Sequence, residues 1–190
     1  MDSNIVLIGF MGCGKSSIGR RLATRTGRTF VDSDELIVAD TGRPITEIFR
    51  EEGEEAFRDR ESSALSGLIG STGIVLATGG GAVLRPSNRE ILRSVGRVLW
   101  LHADADTLFE RATRNAKRPL LDVENPRTTF RNLLEARLPV YGEAADVTVD
   151  ASGLSHAQTV EAILQALGEV EISGRTAVPA APISREGDSD

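Results

Sequence analysis

Gly9-Phe10-Met11-Gly12-Cys13-Gly14-Lys15-Ser16 satisfies the pattern G-x-x-x-x-G-K-[ST] and lies between an apolar run and an amphipathic one. Upstream, Ile5-Val6-Leu7-Ile8 has the unbroken aliphatic composition of a strand buried on both faces. Downstream, Ile18, Leu22 and Ala23 recur at helical spacing on one face. Strand, glycine-rich turn and helix in this order bring several backbone N–H groups and the positive end of a helix to one point, which is what a phosphate group requires. Lys15 then reaches the β- and γ-phosphates of a nucleoside triphosphate, and the Ser16 hydroxyl is placed to ligate Mg²⁺.

Outward from this loop, apolar strand segments recur at 29–31, 74–77, 97–101 and 146–149, with helical patterns at 16–26, 33–40, 45–52, 54–69, 87–94, 106–116, 127–138 and 155–167. Alternation of this kind predicts an α/β fold with a parallel sheet covered by helices on both faces. Pro139 is expected to stop the helix that precedes it. Residues 115–126, polar and proline-bearing, read as a surface segment able to close over a nucleotide, and 43–60 as the place for a substrate subdomain. The organisation expected is one domain over 1–170 and a disordered tail over 171–190, where large apolar groups are few.

A net charge of -6 in 190 residues argues against a general nucleic-acid binder. The single cysteine, Cys13, has no internal disulfide partner and reads as a small filler of the phosphate loop in a reducing compartment. With no leader pattern before Ile5 and no apolar run near the ~18 residues that span a bilayer, the expected location is the cytoplasm, away from membranes.

Several further groups carry chemistry. Asp32 and Asp34 close the second strand, where ligands bind in open α/β sheets. Asp32 is placed for the magnesium side and Asp34 for a substrate hydroxyl, the alternative being that one caps the next helix. Arg58 and Glu61 share a helix stripe with Leu65 and Leu68, so two charges face inward, either to offer a guanidinium fork to a carboxylate ligand or as a structural ion pair. Arg137 repeats the pattern among Phe130, Leu133, Leu134 and Leu138. Gly79-Gly80-Gly81 after a strand lets a ligand approach the backbone. Arg118 is a loop arginine able to meet a transferring phosphoryl group, and Arg111 either stacks on adenine or is solvated. His102 and His156 form no metal or triad pattern, and neither is assigned a catalytic role.

Taken together, Gly-Phe-Met-Gly-Cys-Gly-Lys-Ser-Ser-Ile-Gly-Arg at 9–20, Asp-Ser-Asp at 32–34, Gly-Glu-Glu-Ala-Phe-Arg at 53–58, the triple glycine, Arg-Pro-Leu-Leu at 118–121 and Arg-Leu-Pro-Val-Tyr at 137–141 resemble the shikimate kinase family. The resemblance implies a P-loop kinase of the nucleoside-monophosphate-kinase type, with a five-stranded parallel sheet, a lid and a shikimate-binding subdomain. It implies ATP-dependent phosphorylation of the 3-hydroxyl of shikimate, a step of chorismate and aromatic amino-acid biosynthesis. The family's nucleotide loop falls on Gly12, Cys13, Gly14, Lys15, Ser16 and Ser17, its magnesium ligand on Ser16, its shikimate contacts on Asp34, Arg58, Gly80 and Arg137, and its lid arginine on Arg118. Lys15, Asp34 and Arg118 are the expected catalytic groups, Gly79 and Gly81 join the acceptor site, and Mg²⁺ is the expected cofactor of a monomer. Ser17 stands where Thr is frequent and Cys13 where Ala or Ser is; the segment 151–155 matches poorly. A gluconate or nucleoside-monophosphate kinase of this fold is one rival, and a nucleotide-dependent switch protein another.

Overall fold

A computed structural model describes residues 4–114 and 124–168. Arg118, the body of the expected closing segment and the tail over 171–190 lie outside the described residues. Strands β1 (Ile5–Ile8), β2 (Thr29–Asp32), β3 (Ile74–Ala77), β4 (Arg97–His102) and β5 (Val147–Asp150) form one parallel sheet in the order β2-β3-β1-β4-β5. The helices are α1 (Lys15–Thr26), α2 (Ser33–Thr41), α3 (Ile45–Ser66), α4 (Pro86–Val95), α5 (Ala105–Arg114), α6 (Pro126–Ala144) and α7 (His156–Leu167).

The strand order follows from burial. All four residues of β1 and of β3 are shielded from water, so neither strand can be an edge, while β2 keeps every residue partly exposed and closes one side. Each such aliphatic side chain contributes about 1.5–3 kcal/mol when fully buried. Because β1 pairs with β3 on one side and β4 on the other, the chain directions out of the sheet diverge at its carboxyl end, opening a crevice there.

A smaller core of Ile37, Ile48 and Phe57 ties α2 to α3, with Phe49 packed on Phe57 at 4.6 Å between ring centroids. The two helices expected over 45–69 are joined end to end, broken at Gly53, whose φ of 85° and ψ of 176° suit glycine. Pro139 does not end α6, contrary to expectation: the helix continues to Ala144. The proline deletes one bond to the carbonyl of Glu135, itself an exposed residue, while Tyr141 and Ala144 beyond it are buried and hold the last turn in place.

At the opposite end of the sheet, buried Asn4 donates to the carbonyls of Ser71 (2.6 Å) and Val95 (2.8 Å) and accepts from the Ile74 amide (3.0 Å). Three chain segments meet on this one side chain. Asn4→Ala should therefore lower unfolding free energy by about 2–4 kcal/mol while leaving Michaelis constants unchanged, as read by denaturant melts and steady-state kinetics.

Candidate active site

The loop between β1 and α1 presents its backbone to a pocket of about 440 Å³ at the carboxyl end of the sheet. Gly12, Gly14, Lys15, Ser16, Ser17 and Arg111 line it, and Cys13 is buried beneath the loop. The Lys15 ammonium donates to the carbonyls of Gly9 (2.7 Å) and Phe10 (3.1 Å), holding its charge at the loop's own mouth.

Asp32 caps the next helix, one of the alternatives the sequence left open, and also meets the Ser16 hydroxyl. One carboxylate oxygen caps α2 by accepting from the Asp34 amide at 3.0 Å, and the other accepts from the Ser16 hydroxyl at 2.7 Å. The Ser16–Asp32 pair offers hard oxygens from two elements, a donor set that suits Mg²⁺ completed by phosphate and water. Among the described residues, no group of three or more His, Cys, Asp or Glu could hold a metal ion by itself.

The triple-glycine loop forms the other wall. Ser33, fully buried at the start of α2, accepts from the Gly79 amide at 3.0 Å and fixes the loop against the Asp32–Asp34 segment. Gly79 and Gly80 line the pocket with Asp34. A Cβ at Gly79 would stand 2.5 Å from Glu61 Oε1 and 3.0 Å from Asp34 Oδ1, so both carboxyl groups crowd its Cα.

Arg58, Arg137 and Gly81 lie outside the pocket's own lining and form an adjoining buried cluster. The Arg58 guanidinium donates to Glu61 (2.8 Å) and Glu54 (3.0 Å) and presses on Gly81, where a Cβ would come within 2.3–2.5 Å of it. Burial opposes the charge of Arg58, but the two glutamates outweigh it and raise its pKa. Burial likewise pushes the Glu61 carboxyl up, against Arg58, and neighbouring Asp34 adds to the rise. Arg137 stands over the Phe10 ring at 5.4 Å, close to the phosphate loop.

Sequence reasoning missed Ser33, Tyr141, Arg114 and the position of His156. Arg114 and His156 line the pocket together with Arg111. Tyr141 was discoverable, since it lies one helical turn beyond Arg137 on the same buried stripe. His156 opens α7, and no local pattern ties it to a loop more than a hundred residues earlier.

A phosphate loop at the switch point of a five-stranded parallel sheet, with a lysine, a hydroxyl–carboxylate pair and a second buried cationic cluster beside it, defines a P-loop kinase of the nucleoside-monophosphate-kinase type. The family model described as shikimate kinase matches residues 11–168, and the chain belongs to the shikimate kinase family. It is similar to the shikimate kinase of Symbiobacterium thermophilum (46% identical, covering 87% of this chain and 97% of the relative) and to that of Thioalkalivibrio sulfidiphilus (50% identical, covering 85% of each). Among solved structures it resembles the shikimate kinase from Acinetobacter baumannii in complex with shikimate, with a TM-score of 0.85, 41% identity and coverage of 89% of this chain and 94% of that one. A gluconokinase from Sinorhizobium meliloti 1021 shares the fold at a TM-score of 0.54 and 25% identity, covering 88% of this chain and 93% of its own. The chain is thus an ATP-dependent kinase for shikimate, an enzyme of aromatic biosynthesis.

The contact between Gly81 and Arg58 gives a selective test. In Gly81→Ala the new methyl meets the flexible end of Arg58, which can swing aside without unfolding the chain. The Michaelis constant for shikimate should rise about tenfold or more, with that for ATP within about twofold of wild type, in initial-rate measurements.

Proposed function

We propose that the two adjoining clusters divide one reaction, transfer of the γ-phosphoryl group of ATP to the 3-hydroxyl of shikimate. The observation that supports this is the shared wall: the triple-glycine loop faces the phosphate pocket at Gly79 and Gly80 and a buried, anchored arginine at Gly81. A carboxylate-bearing acceptor held by Arg58 and Arg137 would set its ring hydroxyls toward Asp34 and the end of the phosphate loop.

In this reading the amides from Gly12 through Ser17 hold the nucleotide phosphates, and Lys15 leaves its loop carbonyls to offset charge on the transferring group. Ser16 and Asp32 would hold Mg²⁺, which when bound supplies further neutralisation of the phosphates. Asp34 orients the acceptor hydroxyl and takes its proton. Arg111, which lines the same pocket, would meet the nucleobase of ATP. Arg118, on the sequence pattern, completes the phosphoryl site on closure.

The proposal extends to residues 1–170 as the catalytic unit, working as a cytoplasmic monomer on small molecules without nucleic-acid or membrane partners. Among the described residues, no helix is long and apolar enough to cross a membrane.

The deciding experiment is ADP release from Mg·ATP with shikimate, gluconate, AMP or no acceptor. Shikimate alone should support turnover, and Lys15→Ala should reduce kcat more than about 10³-fold with an unchanged far-ultraviolet spectrum. Turnover independent of acceptor would refute the reading in favour of a nucleotide-hydrolysing switch. A separate check is Arg58→Ala, which should weaken shikimate binding about a hundredfold and ATP binding by less than about threefold in calorimetric titrations. Equal losses for both ligands would sink the carboxylate role.

A further inference from the structure

Tyr141 is 1% exposed, and its phenol donates to the Gly80 carbonyl at 2.5 Å, across from α6 to the loop after β3. Its ring is stacked on Trp100 of β4 at 5.7 Å between centroids and 21° between planes, so the hydroxyl has little freedom to turn elsewhere. Arg137, one turn back on α6, approaches the same oxygen, and Arg58 is also within electrostatic reach of it. Burial pushes the phenol's pKa far above its ordinary value and the arginines only partly oppose this, so the hydroxyl keeps its proton as a donor.

The geometry has a consequence for the peptide between Gly80 and Gly81. No peptide bond among the described residues is cis, so a carbonyl drawn to α6 turns the Gly81 N–H to the opposite edge. The Gly81 Cα itself rests against the Arg58 guanidinium. Backbone bonds from Ala82 to Gly79 (3.2 Å) and from Leu84 to Gly81 (3.0 Å) close a turn around this peptide, but with glycine on both sides of it its plane can still flip within the turn. The phenol supplies the missing restraint.

We propose that Tyr141 is a positioning residue for the acceptor: its hydroxyl fixes the Gly80–Gly81 peptide so that this N–H and the Arg58 and Arg137 guanidinium groups converge on one anionic ligand. The inference rests on the acceptor reading above and adds a group that touches no substrate. It also gives α6 a second role, since Arg137 and Tyr141 place a cation and a backbone donor from one rigid helical turn.

The test compares wild type, Tyr141→Phe and Asn4→Ala. Tyr141→Phe keeps the ring stack and loses only the hydroxyl. Its Michaelis constant for shikimate and its calorimetric Kd for shikimate in the presence of Mg·ADP should both rise about tenfold, while the Michaelis constant for ATP stays within about twofold. Asn4→Ala, destabilised at the far end of the sheet, should move neither constant, separating a positioning effect from lost stability. A shikimate constant within twofold of wild type in Tyr141→Phe, or an equal rise for ATP, would overturn the inference. Absence of shikimate turnover in wild type would instead overturn the acceptor reading itself.

Discussion

Complete burial of β1 at the centre of the sheet is the constraint on which the rest of the site depends. Ile5, Val6, Leu7 and Ile8 can be shielded on both faces only if strands pair on both edges, and β3 and β4 supply those edges. The carboxyl end of β1 then becomes the one place where the sheet's loops part, and the phosphate loop emerges there. Because β3 and then β2 lie on the same side, the triple-glycine loop and the Asp32–Asp34 segment must open next to it. Ser33 ties those two loops together through the Gly79 amide. The acceptor wall is thus built from elements that the sheet order has already brought beside the nucleotide wall.

Against this apolar frame the buried charges stand out. Arg58, Glu61 and Arg137 are all withdrawn from water, although charged side chains are seldom so. Desolvation of such a pair often equals or exceeds what its attraction returns, so stability alone gives a weak reason to keep it. Function gives a stronger one, because a guanidinium held on two glutamates is already dehydrated and aimed. The raised pKa of Glu61 fits the same picture: burial and the neighbouring Asp34 at Gly79 push it up, and the Arg58 guanidinium opposes that rise.

Much of this was legible in the sequence. The phosphate loop could be read because its chemistry needs consecutive residues, and the strands because their apolar runs are short and bounded. The Asp32–Asp34 segment and the inward arginines could be placed by spacing alone. Contacts between distant segments left no local mark. Ser33 is one serine between two aspartates until the fold sets it on Gly79, and His156 is a helix-opening residue until α7 packs near the loop. Pro139 misled for a definite reason: an interior proline usually ends a helix, and the packing of Tyr141 and Ala144 that overrides it is tertiary. Ending the helix there also hid the tyrosine on its next turn.

In the described structure Lys15 and Ser16 already have protein partners of modest strength. Lys15 holds two neutral carbonyls, and Ser16 holds one oxygen of Asp32. These partners hold the ammonium at the loop without an opposing charge. A neutral carbonyl is a weaker acceptor for a cation than a phosphate oxygen carrying charge, so exchange favours the nucleotide. The glycine-rich loop therefore does more than present N–H groups. By offering Lys15 the carbonyls of Gly9 and Phe10, it holds the charge beside the pocket on neutral partners that a phosphate oxygen can replace.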